Sequence, residues 1–275
     1  MDYFYKVVIS GDRELLFREL SLEEYKNLQK MCLDDDLNVF KKFVDNMISG
    51  LCLNDCCDLN SIDIYNILLN IRMYSVSDEK SFKTYINGKP GNLKVDIQNI
   101  IDLVLDQYSL YSSDDYISVD IDDFGLADSV LVDIFNGNII KGFVKNGDIY
   151  SGFDEDVENL IPISIKNQID YRIKDVVDIF SEIELFELVD DSGLKNTINF
   201  NLDGDFIYQI CRVFLKDDLK SLYQDMYDLK AHLNIGFNEH KFITLSEMGI
   251  YVNLFNKDQE KQKQSQKSKN GNYPI

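Results

Sequence analysis

Apolar residues along the first third of the chain switch repeatedly between a spacing of two and a spacing of three to four. Val7 and Ile9, then Leu16 and Arg18, flank Gly11-Asp12-Arg13, and alternation across such a turn predicts a β-hairpin. Directly after it, Ser21 and Glu24 stand three residues apart ahead of an apolar run, the pattern of a capping box. Leu20 and Tyr25 have the spacing of its hydrophobic staple. Leu37, Phe40, Val44 and Met47 recur at helical spacing behind Asp34-Asp35-Asp36, with Gly50 as the expected stop. A third helix opens at Asn60 or Ser61 and carries Ile64, Leu68 and Ile71 on one face.

The period then returns to two. Phe82, Thr84 and Ile86, and after them Leu93, Val95 and Ile97, alternate with polar residues on either side of Asn87-Gly88-Lys89-Pro90-Gly91-Asn92, which predicts a second hairpin with Gly and Pro in its turn. Ile97, Ile100, Ile101, Val104 and Leu105 mark another helix, and residues 116–122 read as a strand. Asn146-Gly147 inside "IIKGFVKNGDIYSGF" suits a type I′ turn. From Ile163 onward helix is expected to dominate, because "IKNQIDYRIKDVVDIFSEIELFELVDD" has no interior Gly or Pro and carries the stripe Ile169, Ile173, Val176, Val177 and Phe180.

A second capping box, Thr244 with Glu247, opens the last helix. Leu245, Met248, Val252 and Phe255 then recur as a stripe too narrow for a whole core, with the spacing of a helix laid into a groove or paired with another helix. The polar stretch from residue 257 predicts a frayed end and disorder. The expectation is an α+β fold, predominantly helical with several β-hairpins. It divides into an N-terminal α+β domain over 1–160, a helical C-terminal domain over 161–256 and a disordered tail over 257–275.

Charge changes this picture more than composition does. The net charge is −20, and the last twenty residues hold five Lys against one Asp and one Glu, so residues 1–255 carry −23. Such a body repels nucleic acid and anionic membrane and favours basic protein partners. No apolar run approaches the ~18 residues that span a bilayer, and the opening "MDYFYKVVISGD" lacks a basic segment followed by an apolar one, so a cytosolic protein is expected. Five cysteines, an odd number at irregular spacing, read as reduced thiols rather than a disulfide framework.

Candidate chemistry is sparse. Cys52, Cys56 and Cys57 are the first suspects for zinc, but the two histidines, His232 and His240, are far along the chain, so no metal and no cofactor is expected. Each histidine reads as a surface or capping residue. No Gly-rich phosphate loop and no Gly-x-Ser-x-Gly elbow occurs. Asp120, Asp122 and Asp123, or Asp154, Glu155 and Asp156, are carboxylate clusters, but acidic residues are so frequent here that coincidence explains them. Asp123-Phe124-Gly125 has no partner kinase motif. Sixteen Tyr and seventeen Phe without a basic groove point to core packing and protein contact rather than base stacking. The residues predict no catalytic site and no enzyme.

Three segments together resemble a known family. The opening "FYKVVISGDRELLFRELSLEEYKNLQKMCLDDD" is similar to the start of the baseplate hub assembly proteins of T-even-like contractile-tailed phages. In that family a short hairpin leads into a helix matched here by Phe17, Arg18, Leu20, Ser21, Glu24, Tyr25 and Lys26. "NILLNIRMYSVSDEKSFKTYI" resembles the family's helix ending in Arg and Ser ahead of a hairpin, and "ITLSEMGIYVNLFNKDQEK" its closing amphipathic helix. The similarity covers about half the chain. Some members carry Cys-x-x-Cys in the central hairpin; the Asn87–Asn92 turn of this chain removes that zinc inference. The resemblance implies a non-enzymatic structural component or assembly factor of a baseplate hub. It would act on other baseplate or tail proteins, in the host cytoplasm during assembly or in the tail baseplate of the virion. The candidate partner interface is Phe17, Arg18, Leu20 and Tyr25 at the opening switch, with Leu245, Met248, Val252 and Phe255 on the last helix. Arg18 has two readings, a solvent-facing ion-pair partner for Glu19 or Glu24 and a docking contact. The rival function is an acidic adaptor or inhibitor, including a nucleic-acid mimic, that engages a basic host protein.

Overall fold

The computed structural model describes residues 4–110, 117–121, 127–135, 139–151, 161–236 and 238–270. Its architecture is α+β, with eight helices among the described residues and only small antiparallel sheets. The opening hairpin pairs β1 (Phe4–Ile9) with β2 (Arg13–Arg18) in the register Tyr5↔Phe17, Val7↔Leu15 and Ile9↔Arg13. Val7 and Ile9 are buried as their alternation predicts, with Tyr5, but on β2 the buried face carries Leu15 and Phe17, one residue out of step with the expected Leu16 and Arg18, which stay partly exposed. Helix α1 (Leu22–Met31) follows with its capping box formed: the Ser21 hydroxyl accepts from the Glu24 amide at 3.2 Å, and Glu24 accepts from the Ser21 amide at 2.9 Å.

Helix α2 (Leu37–Leu51) buries Phe40, Val44 and Met47 as their spacing predicts. It does not stop at Gly50. The helix runs one residue further, and its end is set where Cys52 bridges to Phe17 and the Leu53 amide donates to the Leu16 carbonyl at 2.8 Å. Pairing with the edge of β2 pulls the chain into extended form, so a tertiary contact rather than the glycine terminates the helix.

Helix α3 (Ser61–Ser75) opens at Asn60 as expected, yet it is surrounded rather than one-sided. Ile62, Tyr65, Ile67 and Leu69 are buried as fully as Leu68 and Ile71. A helix apolar on all faces belongs in the middle of a core. Its buried polar side chains fasten the opening hairpin: Asp63 accepts the Ser10 amide and hydroxyl at 2.8 Å each, and Asn66 donates to the Val8 carbonyl at 2.8 Å. Asn70 in turn donates to Asn66 Oδ1 at 2.7 Å. Asp63, Asn66 and Asn70 thus each have partners, as burial requires.

Strands β3 (Glu79–Ile86) and β4 (Lys89–Asp96) form the central hairpin. Its turn is shorter than the sequence suggests. Only Asn87 and Gly88 take positive φ (52° and 73°), the type I′ geometry, and Lys89 to Asn92 are strand residues. Pro90 is tolerated because β4 is an edge strand. Helix α4 (Ile97–Ser109) leads to a meander of β5 (Ile117–Asp120), β6 (Ser129–Asp133), β7 (Ile139–Lys145) and β8 (Asp148–Ser151), paired in that order. Asn146 and Gly147 form the expected turn with φ of 52° and 85°.

The second half departs from its helical reading. Helix α5 (Ile163–Ser181) forms, but "ELFELV" becomes β9 (Glu184–Val189) and pairs with β10 (Lys195–Asn199). The reason is a local turn at Asp190, whose carboxylate accepts the Ser192 and Leu194 amides at 2.9 Å each, with Gly193 at positive φ. An aromatic stack reinforces it: Phe186 lies on Phe82 of β3 at 4.6 Å, and both meet Phe214 edge-on. The remaining helices are α6 (Gly204–Leu215), α7 (Leu219–Leu233) and α8 (Leu245–Asn270). One hydrophobic core joins residues from both sides of position 160, with Tyr65 of α3 against Phe200, so the expected domain boundary has no counterpart in the packing. The segment expected to be a disordered tail from 257 is helical through Asn270; its Lys, Gln and Glu residues are good helix formers and no Gly or Pro intervenes before Gly271.

Candidate functional site

Four distant stretches of sequence meet at one carboxylate. Asp217 lies in the short link between α6 and α7, and its backbone amide donates to Gln29 of α1 at 2.6 Å. The same Gln29 side chain donates to the Leu215 carbonyl at 2.8 Å, so the link is held from both sides of its turn. The Asp217 carboxylate accepts two bonds from Arg72 of α3, at 2.6 and 3.2 Å, one from Lys80 of β3 at 2.7 Å and one from the Tyr25 hydroxyl of α1 at 2.5 Å. Lys80 also donates to the Lys216 carbonyl.

The side chains of Arg72 and Lys80 are 4% and 9% exposed, that of Asp217 28%. Two buried cations therefore share one partly buried carboxylate. Burial alone would raise the Asp217 carboxyl, but the Arg72 and Lys80 bonds outweigh it and hold the group below the usual carboxylate range. Burial also lowers the Lys80 ammonium, only partly opposed by Asp217. The Tyr25 hydroxyl is pushed far up, by burial first and the neighbouring carboxylate second.

Beside this cluster opens a cavity of about 490 Å³, floored by Arg72 and Asp217 and walled by Tyr74, Asp225, Leu245 and Met248. The geometry is that of a tie between helices. The carboxylate is saturated by donors, and among the described residues no three His, Cys, Asp or Glu side chains are placed to hold a metal ion. A larger groove of about 870 Å³ lies between the β3–β4 and β9–β10 hairpins, where Thr84 Oγ1 accepts the Val189 amide at 2.8 Å and donates to its carbonyl at 3.2 Å.

The expected interface residues fare differently from one another. Phe17 and Leu20 are sealed in the core and Tyr25 is buried with its hydroxyl on Asp217, so these three are not surface residues. They belong to the inner face of the strand-to-helix switch, which is where an alternating strand and a staple put apolar side chains. Arg18 is half-exposed and clasps Glu24 bidentately, at 2.9 and 2.6 Å, while also donating to the Glu19 and Gly50 carbonyls. That is the ion-pair reading of Arg18. On α8, the capping box forms: Glu247 accepts from the Thr244 amide at 3.0 Å and donates its own amide to Thr244 Oγ1 at 3.2 Å. Leu245 is buried, Met248 and Val252 are half-buried against the core, and Phe255 stacks on His232 of α7 at 4.7 Å. The stripe packs within its own chain.

The opposite face of α8 was not singled out by the periodicity. Ile250 and Leu254 are 53% and 55% exposed and Tyr251 is also exposed. His240 is buried rather than at the surface, and its carbonyl accepts the Glu23 amide at 3.2 Å, helping to cap α1. Asp120 lies on β5, whereas Asp122, Asp123 and the Asp154–Asp156 cluster fall outside the described residues. No described helix is long and apolar enough to cross a membrane. A charged residue inside the otherwise apolar "NILLNIRMYS" is the signal that could have located the buried tie, because a cation on a fully buried helix demands a carboxylate. Comparison of the chain with family models, with characterised proteins and with solved structures finds no match to any of them.

Proposed function

We propose that the protein is a non-enzymatic structural component or assembly factor of a contractile-tailed phage baseplate hub, acting through protein contacts with other baseplate or tail proteins. The observation that carries this reading is the outer face of α8, where Ile250, Tyr251 and Leu254 stand exposed within five residues beside the internally packed stripe. Exposed large apolar side chains grouped on one helix face are a feature of protein contact sites. The resemblance of the opening switch and the closing helix to hub assembly proteins supplies the biological setting, the host cytoplasm during assembly or the virion baseplate. The buried tie at Asp217 serves this reading by fixing α1, α3 and the α6–α7 link, against which α7 and α8 are seated.

A second reading, an acidic adaptor that binds a basic host protein, rests on the −23 carried by residues 1–255. The two separate by co-expression of the chain with hub proteins encoded beside it, followed by sedimentation at low and high salt. On the hub reading the complex survives high salt, and Ile250→Asp with Leu254→Asp abolishes it at unchanged melting temperature. A complex with hub proteins that ignores this double substitution would defeat the α8 assignment. Binding confined to basic proteins and lost at high salt would favour the adaptor.

A further inference from the structure

The cavity of about 490 Å³ beside the Asp217 tie has a chemistry of its own. Part of its wall is apolar, built from Val76 just after α3, Leu222 of α7, and Leu245 and Met248 of α8. The rest is acidic, with Asp217, Asp218 and Asp225 lining it against one cation, Arg72. Even with Lys80 counted through its bond to Asp217, three carboxylates face two cations. Two of the three are already engaged. Asp217 is filled by Arg72, Lys80 and Tyr25, and Asp218 caps α7 by accepting the Lys220 amide and the Ser221 hydroxyl at 3.0 Å each. Asp225 differs. It is half-buried on α7, and among the described residues it accepts no hydrogen bond and pairs with no cation. Burial first, and the like charge of Asp228 second, raise its carboxyl. A partly buried carboxylate in that position lacks the cation that would offset its desolvation.

We propose that this cavity is a receptor for an arginine side chain of a partner protein, with Asp225 taking the guanidinium. A guanidinium presents a planar fork of donors that a carboxylate accepts in pairs, and its methylene stem suits the apolar wall. Tyr74 lines the cavity while remaining 46% exposed, which puts its ring at the mouth, held by stacking on Tyr5 at 4.5 Å. Such a ring attracts a guanidinium. A lysine ammonium is a more strongly hydrated point charge and fits less well. A neutral side chain would leave Asp225 unpaired, and an acidic one would add to the like charge of Asp225 and Asp228. The surface agrees in sign, since the −23 of residues 1–255 draws cationic segments towards it. A protein as the source of the arginine rests on the protein-contact reading above. The cavity itself does not, because Leu245 and Met248 lie on the face of α8 opposite Ile250 and Leu254.

The test is NMR titration of the isotope-labelled full chain at neutral pH with N-acetyl-arginine amide, and with N-acetyl-citrulline amide, which keeps the shape without the charge. Arginine amide should give saturable shifts at the Leu222, Ser246 and Gly249 amides with a Kd on the order of 1 mM, as expected for so small a ligand. Citrulline amide should bind about tenfold more weakly or not at all. Asp225→Asn should lose the arginine response at an unchanged or higher melting temperature, because a carboxyl raised by burial does not stabilise the fold through its charge. Ile250→Asp with Leu254→Asp should leave the titration unchanged, so failure of the cavity and failure of the α8 contact are told apart. Equal binding of the citrulline or the corresponding lysine amide would overturn the proposal. So would shifts that persist in Asp225→Asn, or no saturation well above the millimolar range.

Discussion

Asp217→Asn isolates the energetics of the buried tie. The substitution keeps the shape but removes the one charge that offsets Arg72 and Lys80, which are almost wholly buried. Breaking a buried ion pair by removing one partner costs about 3–5 kcal/mol, because the remaining charge stays uncompensated. Two features pull the value to the lower end. Asp217 is 28% exposed, so solvent reaches it, and Lys80 already has a lowered pKa and can release its proton rather than stay charged. About 3 kcal/mol is therefore expected, or roughly 6–12 °C in melting temperature for a chain of this size. Lys80→Met acts in the opposite sense, since it removes the surplus cation and leaves Arg72 paired one to one. It should cost about 1 kcal/mol or less, and the double variant Asp217→Asn with Lys80→Met should be less destabilised than the two single effects added. Urea unfolding of the four proteins closes the cycle. A loss under about 1 kcal/mol for Asp217→Asn, or strict additivity, would refute the view that one carboxylate holds both cations.

Two further outcomes follow from the same packing. Met248→Asp with Val252→Asp buries two carboxylates against the core and should lower stability by about 3 kcal/mol, read by thermal unfolding; an unchanged melting temperature would mean that the stripe is not packed internally. Acid should destabilise the fold through Asp217 and Glu24. Both carboxyls are held below their ordinary values, by Arg72 and Lys80 in one case and Arg18 in the other, in each case against the opposing pull of burial. The unfolded chain then binds protons first, so their contribution is complete above the unfolded pKa of ~4 and is lost as pH falls through the folded values; Asp217→Asn should flatten stability measured between pH 5 and pH 2.5.

Much of the local architecture was legible because its causes lie within a few residues. Asn87-Gly88 and Asn146-Gly147 accept positive φ, and Ser21 with Glu24, or Thr244 with Glu247, exchange side-chain and backbone bonds across a single turn. No other part of the chain is needed for those outcomes, and the α+β class followed from them. The end of α2 was misread for the converse reason: pairing of Cys52 and Leu53 with β2 decides it, and Gly50 is a bystander. The β9–β10 hairpin was missed because "ELFELV" suits helix as well as strand, and the stacking of Phe186 on Phe82 supports the strand from across the chain. The stripe on α8 announced an apolar face but not what covers it; the answer is the chain's own core and His232. Asp217 is the extreme case. Its partners Tyr25, Arg72 and Lys80 lie 137 to 192 residues away. Spacing along a chain encodes which face a residue occupies, whereas the choice among forty-eight acidic residues of the one that neutralises two buried cations is made only when the helices pack.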